Sequence, residues 1–202
     1  MHPVVIIQDG ARRDENALRW AAAHAQLIGT GLEIHRPHDD FRAQLVVAGH
    51  RLVRPPAHCD MVVVRGTPAA VDSRHRLVTA LVSGGPGDGR VLRHAADFAR
   101  LRGARLRVLH ATSSGEAPDH VLARASAVLG SFAHRTVLVQ AEPHEAVARC
   151  TDSDLVVVGS GSVFTTAALH HAPCPVLVVR QPVLEHFPIA VPAPRRPARA
   201  QA

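Results

Sequence analysis

The stretch "GGPGDGRVLRHAADFARLRGARLRV", Gly84 to Val108, decides the fold, because the chain has already written it once. "GARRDENALRWAAAHAQLIGTGLEI" begins at Gly10, 74 positions earlier (84 less 10). At that spacing Leu18 matches Leu92, Arg19 matches Arg93, and Ala21, Ala22 and Ala25 match Ala95, Ala96 and Ala99. Gly29 matches Gly103 and Leu32 matches Leu106. Further on, "LVVAG" ends at Gly49 and "LVVVG" at Gly159, now 110 apart, and Cys59 and Cys174 are 115 apart. A repeat of this kind is read before any motif. It predicts one unit written twice, with 36 extra residues in the middle of the second copy (110 less 74) and five more near its end (115 less 110).

Each copy reads as strand, helix, strand. "PVVIIQ" (Pro3–Gln8) is a short apolar run ended by Asp9-Gly10, which predicts a strand and a turn. Leu18, Ala21, Ala22 and Ala25 then fall at i, i+3, i+4 and i+7, one apolar helix face, with Gly29 placed as a C-cap. "LEIH" (Leu32–His35) is the next strand. The second copy repeats this with strand Leu77–Val82, a helix to Gly103 and strand Leu106–His110. Parallel strands with right-handed crossovers follow. The extra residues add a helix over Asp119–Phe132, a strand over Arg135–Gln140 and a short helix over Pro143–Cys150. Strand Asp154–Gly159, helix Phe164–His170 and strand Val176–Arg180 complete five doubly wound strands; the first copy is left with four. The fold class is therefore α/β, with doubly wound parallel sheets in two tandem copies, the first truncated. The predicted divisions are a truncated half over 1–66, a complete domain over 72–181 and a disordered Pro/Ala/Arg tail over 182–202. The last strands of the two copies are expected to lie near a pseudo-twofold contact. The short first copy is expected to depend on packing against the second.

Composition narrows the function. The 202 residues are 47% hydrophobic but only 3% aromatic, so the core is aliphatic. The net charge is +6, and all 23 basic residues are Arg, interspersed with acids apart from Arg195, Arg196 and Arg199. Three tail arginines give only weak, salt-sensitive contact with nucleic acid or an anionic membrane. No apolar run is long enough for a membrane span, and the N-terminus has no signal-peptide pattern. Three cysteines without a CxxC pair predict reduced thiols in a cytoplasm.

The segments "VVIIQDGA", "LVSGGP", "AEPHEAV", "DSDLVVVGS" and "HHAPCPVLVVR" together resemble the universal stress protein family in its tandem form. The resemblance implies a Rossmann-like, adenine nucleotide alpha hydrolase-like fold whose two halves pack as a pseudo-dimer. Many members bind ATP. Their signature is an Asp at the end of the first strand, then G-x-x-G, nine residues, and G-S or G-T after the fourth. Carried onto this chain, the nucleotide-contacting positions are Asp9, Ser83, Gly159, Gly161, Ser162 and Val163. The departures are plain. Ser83 stands where the second copy should have Asp, and "GSV" (Gly161–Val163) follows Gly159 directly, with the phosphate loop missing. The expectation is a non-enzymatic stress-response or regulatory module with a degenerate nucleotide site and no cofactor. It would act through its pseudo-dimer, a homodimer or a protein partner. The alternative keeps ATP or AMP at the switch point of the second copy.

Other patterns read more simply as structure. His58/Cys59 and His170/His171/Cys174 could ligate zinc, but a Cys entering a buried strand behaves as a small hydrophobe. Cys59 and Cys174 are accordingly expected to be buried and unbridged. "SGGPGDG" (Ser83–Gly89) reads as a strand-to-helix turn, Asp9 as a helix or turn cap, and His144 with Glu145 as a solvated face.

Overall fold

The computed structural model describes residues 2–8, 14–37, 39–49, 59–112 and 119–181. The tail expected over 182–202 lies outside them. Among the described residues nine strands form one continuous sheet, where two separate sheets, one per copy, were expected. In the first half they are β1 (Val4–Ile7), β2 (Leu32–His35), β3 (Leu45–Gly49) and β4 (Asp60–Val64). The second half supplies β5 (Leu77–Val82), β6 (Arg105–Thr112), β7 (His134–Gln140), β8 (Leu155–Gly159) and β9 (Val176–Val179). The helices are α1 (Glu15–Ile28), α2 (Pro68–Val71), α3 (Asp88–Arg102), α4 (Asp119–Leu129), α5 (Pro143–Ala148) and α6 (Val163–His171).

The strand order is β2-β1-β3-β4-β9-β8-β5-β6-β7. Every neighbouring pair is parallel except β4 and β9, where Met61, Val62 and Val63 lie antiparallel to Val178, Leu177 and Val176. The last strands of the two halves are thus the ones that meet. They do so as ladder partners, because each would otherwise leave an open row of peptide groups at an apolar edge. All the predicted strands are present within a residue or two. The four-residue helix α2, capped by Thr67, was not predicted.

Both long helices stop at a left-handed glycine, Gly29 (φ 66°) and Gly103 (φ 59°), as the repeat implies. Asp14 caps the start of α1, its carboxylate accepting the Ala17 N–H at 3.0 Å, and Asp9, expected as a helix or turn cap, lies outside the described residues.

One apolar layer runs under α1, α3 and α4 across both halves, from Val4 and Ile6 through Val62 and Leu177 to Val108. On the opposite face α5 and α6 cover the second half, and Leu169 of α6 reaches both that cluster and the one on the first half. The buried face of α1 is Ala17, Trp20, Ala21, His24 and Ala25, while Ala22 is exposed and Leu18 half-buried. The expected face is therefore rotated. Trp20 and His24 turn inward to stack on Phe98 of α3, with Trp20–His24 centroids at 5.2 Å and His24–Phe98 at 4.9 Å. The Arg102 guanidinium lies 4.6 Å over the Trp20 ring, closing the stack.

That stack makes the fold acid-sensitive. Burial, and then the Arg102 charge, push the His24 pKa down from 6.5 to about 4. A base with a lowered folded pKa binds fewer protons folded than unfolded. Its contribution is intact above pH 6.5 and is lost as the pH falls toward 4, up to about 3 kcal/mol. Urea midpoints of the wild type should fall over that window more steeply than those of His24→Phe. Parallel curves would contradict this.

The halves are also tied by polar groups. Arg65, at the end of β4, donates to the carbonyls of Leu169 and His170 (2.8 Å for the latter), the orphan acceptors at the end of α6. Asp60 accepts the Arg180 N–H at 2.7 Å and lies 3.4 Å from His94 of α3. Within the second half, buried Asp154 accepts the backbone N–H groups of His75 (2.9 Å) and Leu77 (3.3 Å), fixing the entry to β5.

Candidate functional site

In the second half the chain runs β5-β6-β7 outward in one direction and β8-β9 in the other, so the switch point lies between β5 and β8. Crossovers leaving in opposite directions open a crevice at the carboxyl ends of such strands. A cleft of about 330 Å³ lies there, walled by Ser83, Gly85, Pro86, Gly87, Asp88, Gly159, Ser160, Gly161, Ser162 and Gln181. This is at the small end of the range for a ligand pocket.

Of the residues carried over from the sequence, Ser83, Gly159, Gly161 and Ser162 share this wall. Val163 is the first residue of α6, is 66% exposed and is not part of the wall. Asp9 lies outside the described residues. Gly161 has φ 77°, so the chain turns from β8 into α6 through only Ser160, Gly161 and Ser162. Ser162 is the N-cap residue, but its hydroxyl pairs with Thr165 Oγ1 at 3.2 Å instead of capping the helix. The Thr165 hydroxyl donates in turn to the Gly159 carbonyl at 2.6 Å.

Sequence reasoning did not find Asp88 or Gln181. Asp88 begins α3, and its carboxylate turns back to accept the Gly84 N–H at 2.7 Å and the Ser83 N–H at 3.2 Å. The Ser83 hydroxyl lies 3.4 Å from the same carboxylate. A signal existed. Asp14 and Asp88 share the 74-residue spacing of the repeat, and both sit at helix starts. Gln181 follows β9. Its backbone N–H donates to Ser160 Oγ at 2.9 Å and its side-chain amide to the Gly87 carbonyl at 3.3 Å. A Cβ on either Gly87 or Gly159 would collide with that amide, so both glycines are needed to seat it. Nothing local in the sequence announces this contact, because it joins positions 94 residues apart.

The cleft wall is electrostatically one-sided. Among the described residues Asp88 is its single charged residue, although the chain as a whole carries +6.

The histidine and cysteine segments fall elsewhere. His170 and His171 are exposed at the end of α6, Cys174 has no exposure, and His58 lies outside the described residues. All three cysteines are unbridged. Cys59 is half-buried, which corrects the expectation of full burial. It precedes β4 and packs at the margin of the Val5–Met61 cluster instead of within the strand. Burial and neighbouring Asp60 raise its thiol pKa to about 11, and burial raises Cys150 to about 11. Cys174 is pushed up further by burial. A water-soluble thiol reagent at pH 7.5 should modify Cys59 first, more slowly than a free thiol, and leave Cys150 and Cys174 unmodified until the protein unfolds. Rapid modification of all three would contradict this.

No protein-family model and no curated protein matches the chain. Solved structures do. A universal stress protein from Archaeoglobus fulgidus DSM 4304 superimposes with a TM-score of 0.65 at 12% identity, over 89% of this chain and 96% of that one. The universal stress protein from Archaeoglobus fulgidus in complex with dAMP matches 51% of this chain and 95% of its own, at 22% identity and TM-score 0.43. A protein of the same family from Burkholderia pseudomallei matches 55% of this chain and 98% of its own, at 25% identity and TM-score 0.41. The first of these carries the fold assignment.

Proposed function

We propose, from the premise that this chain has the universal stress protein fold, that it is a non-catalytic stress-associated or regulatory module with a degenerate nucleotide cleft. It is read as two unequal copies of one unit, which the matched spacing and the paired glycine caps support. It works in the cytoplasm, through contacts made by its joined halves with a second copy or another protein. No helix among the described residues is long and apolar enough to cross a membrane.

The observation that carries this reading is the cleft wall. A triphosphate needs several converging N–H donors and positive charge. Here the turn between β8 and α6 is three residues long, and among the described residues the wall contains no basic side chain and one charge, the Asp88 carboxylate. Among its described residues the wall also holds no pair of groups placed to act as acid and base. Each lost charge-assisted hydrogen bond weakens phosphate binding by about 1–3 kcal/mol, so two or three missing bonds reduce affinity by several factors of ten. Calorimetric titration with ATP should give a Kd no tighter than roughly high micromolar. A submicromolar Kd that disappears in Gly161→Val would overturn the reading.

One observation favours a second reading, in which ATP or AMP is retained here. The nine-residue helix α6 opens directly onto the cleft at Gly161 and Ser162, and the Ser162 hydroxyl does not cap it. The same titration decides between the two.

A further inference from the structure

The cleft contains an anion of its own. The N–H groups of Ser83 and Gly84, with the Ser83 hydroxyl, surround the Asp88 carboxylate on the turn from β5 into α3. Gly84 adopts φ 86°, which aims its N–H inward toward the same carboxylate. Converging N–H groups at a helix start are what a phosphate would use. Here they are already engaged by an acid fixed to the chain. A phosphate entering from the α6 side would face that acid across a small cleft with no cation among the described residues of its wall.

Gln181 fills space in the same cleft but carries no charge. Its amide lies against Gly87 and Gly159 and donates to the Gly87 carbonyl. Asp88 therefore discriminates by charge, whereas Gln181 discriminates only by volume.

We propose that Asp88 is the specificity-determining residue of this cleft, excluding phosphorylated ligands and leaving an uncharged, nucleoside-sized molecule as the class it accepts. The proposal rests on reading the cleft as a degenerate nucleotide site.

The test is a binding panel of adenosine, AMP and ATP against the wild type, Asp88→Asn, Asp88→Ser and Gln181→Ala. Asparagine keeps a side-chain oxygen for the Ser83 and Gly84 N–H groups, so at least one Asp88 variant is expected to stay folded, with thermal unfolding as the check. In the wild type adenosine should bind at least as well as AMP, and AMP better than ATP. Both Asp88 variants should strengthen ATP binding tenfold or more and move adenosine less than threefold. Gln181→Ala should shift all three ligands by a similar factor. Equal shifts of adenosine and ATP in the Asp88 variants, no shift of either, or no binding of any ligand to any variant would overturn the proposal. Submicromolar ATP binding by the wild type would instead overturn the degenerate-cleft reading beneath it.

Discussion

Gly66→Ala is expected to be among the most damaging single substitutions in the molecule, costing about 3–5 kcal/mol or preventing folding outright. Gly66 follows β4 and has φ 87°, a conformation L side chains rarely adopt. A Cβ at this position would also run into the Pro173 carbonyl and come within 2.7 Å of Cys174 Cα. These are backbone atoms of the other half, held close because Thr67 N–H donates to the Pro173 carbonyl at 3.3 Å. Neither side can yield without shifting the approach to β9. Urea unfolding should show the loss. A change under about 1 kcal/mol would mean that the halves are not locked together at this point.

Trp20→Ala is expected to cost a further large amount, about 3–5 kcal/mol. Trp20 is 1% exposed and is the only tryptophan in the chain. It stacks on His24, lies 6.4 Å from Phe98 and carries Arg102 on its face. Removing the ring empties the contact between α1 and α3 and leaves the half-buried Arg102 without its cation–π partner. Burial has already lowered the Arg102 pKa to about 10. Trp20→Phe keeps a ring and should lose less than half as much. Similar losses for the two variants would show that the indole is not the packing element.

The fold was largely legible because its signals are local and written twice. The apolar runs Val4–Ile7, Leu45–Gly49 and Leu155–Gly159 are strands covered on both faces, and the spacing of Gly29 and Gly103 marks two helix ends. What the sequence did not show depends on distant partners. Trp20 and His24 take the buried face of α1 because Phe98 is there to meet them; periodicity alone favoured Ala22. The antiparallel pairing of β4 with β9 is a choice between edges, which neither strand encodes by itself.

The candidate site divides in the same way. Ser83, Gly159, Gly161 and Ser162 were named from the sequence because motifs run along the chain, and they share one cleft. Asp88 and Gln181 were missed because their roles come from a carboxylate folding back on its own turn and from an amide arriving after β9. Cys59 was misplaced by two positions, since full burial begins at Met61, the second residue of β4.

The central claim is that a universal stress protein fold is present here without its hold on ATP. Native mass spectrometry of the protein, purified gently with ATP present until the final desalting, tests it most directly. The account predicts the mass of the polypeptide alone, because a cleft whose single charge among the described residues is the Asp88 carboxylate does not retain a triphosphate through that step. A stoichiometric adduct of the mass of ATP, lost on Gly161→Val, would contradict it.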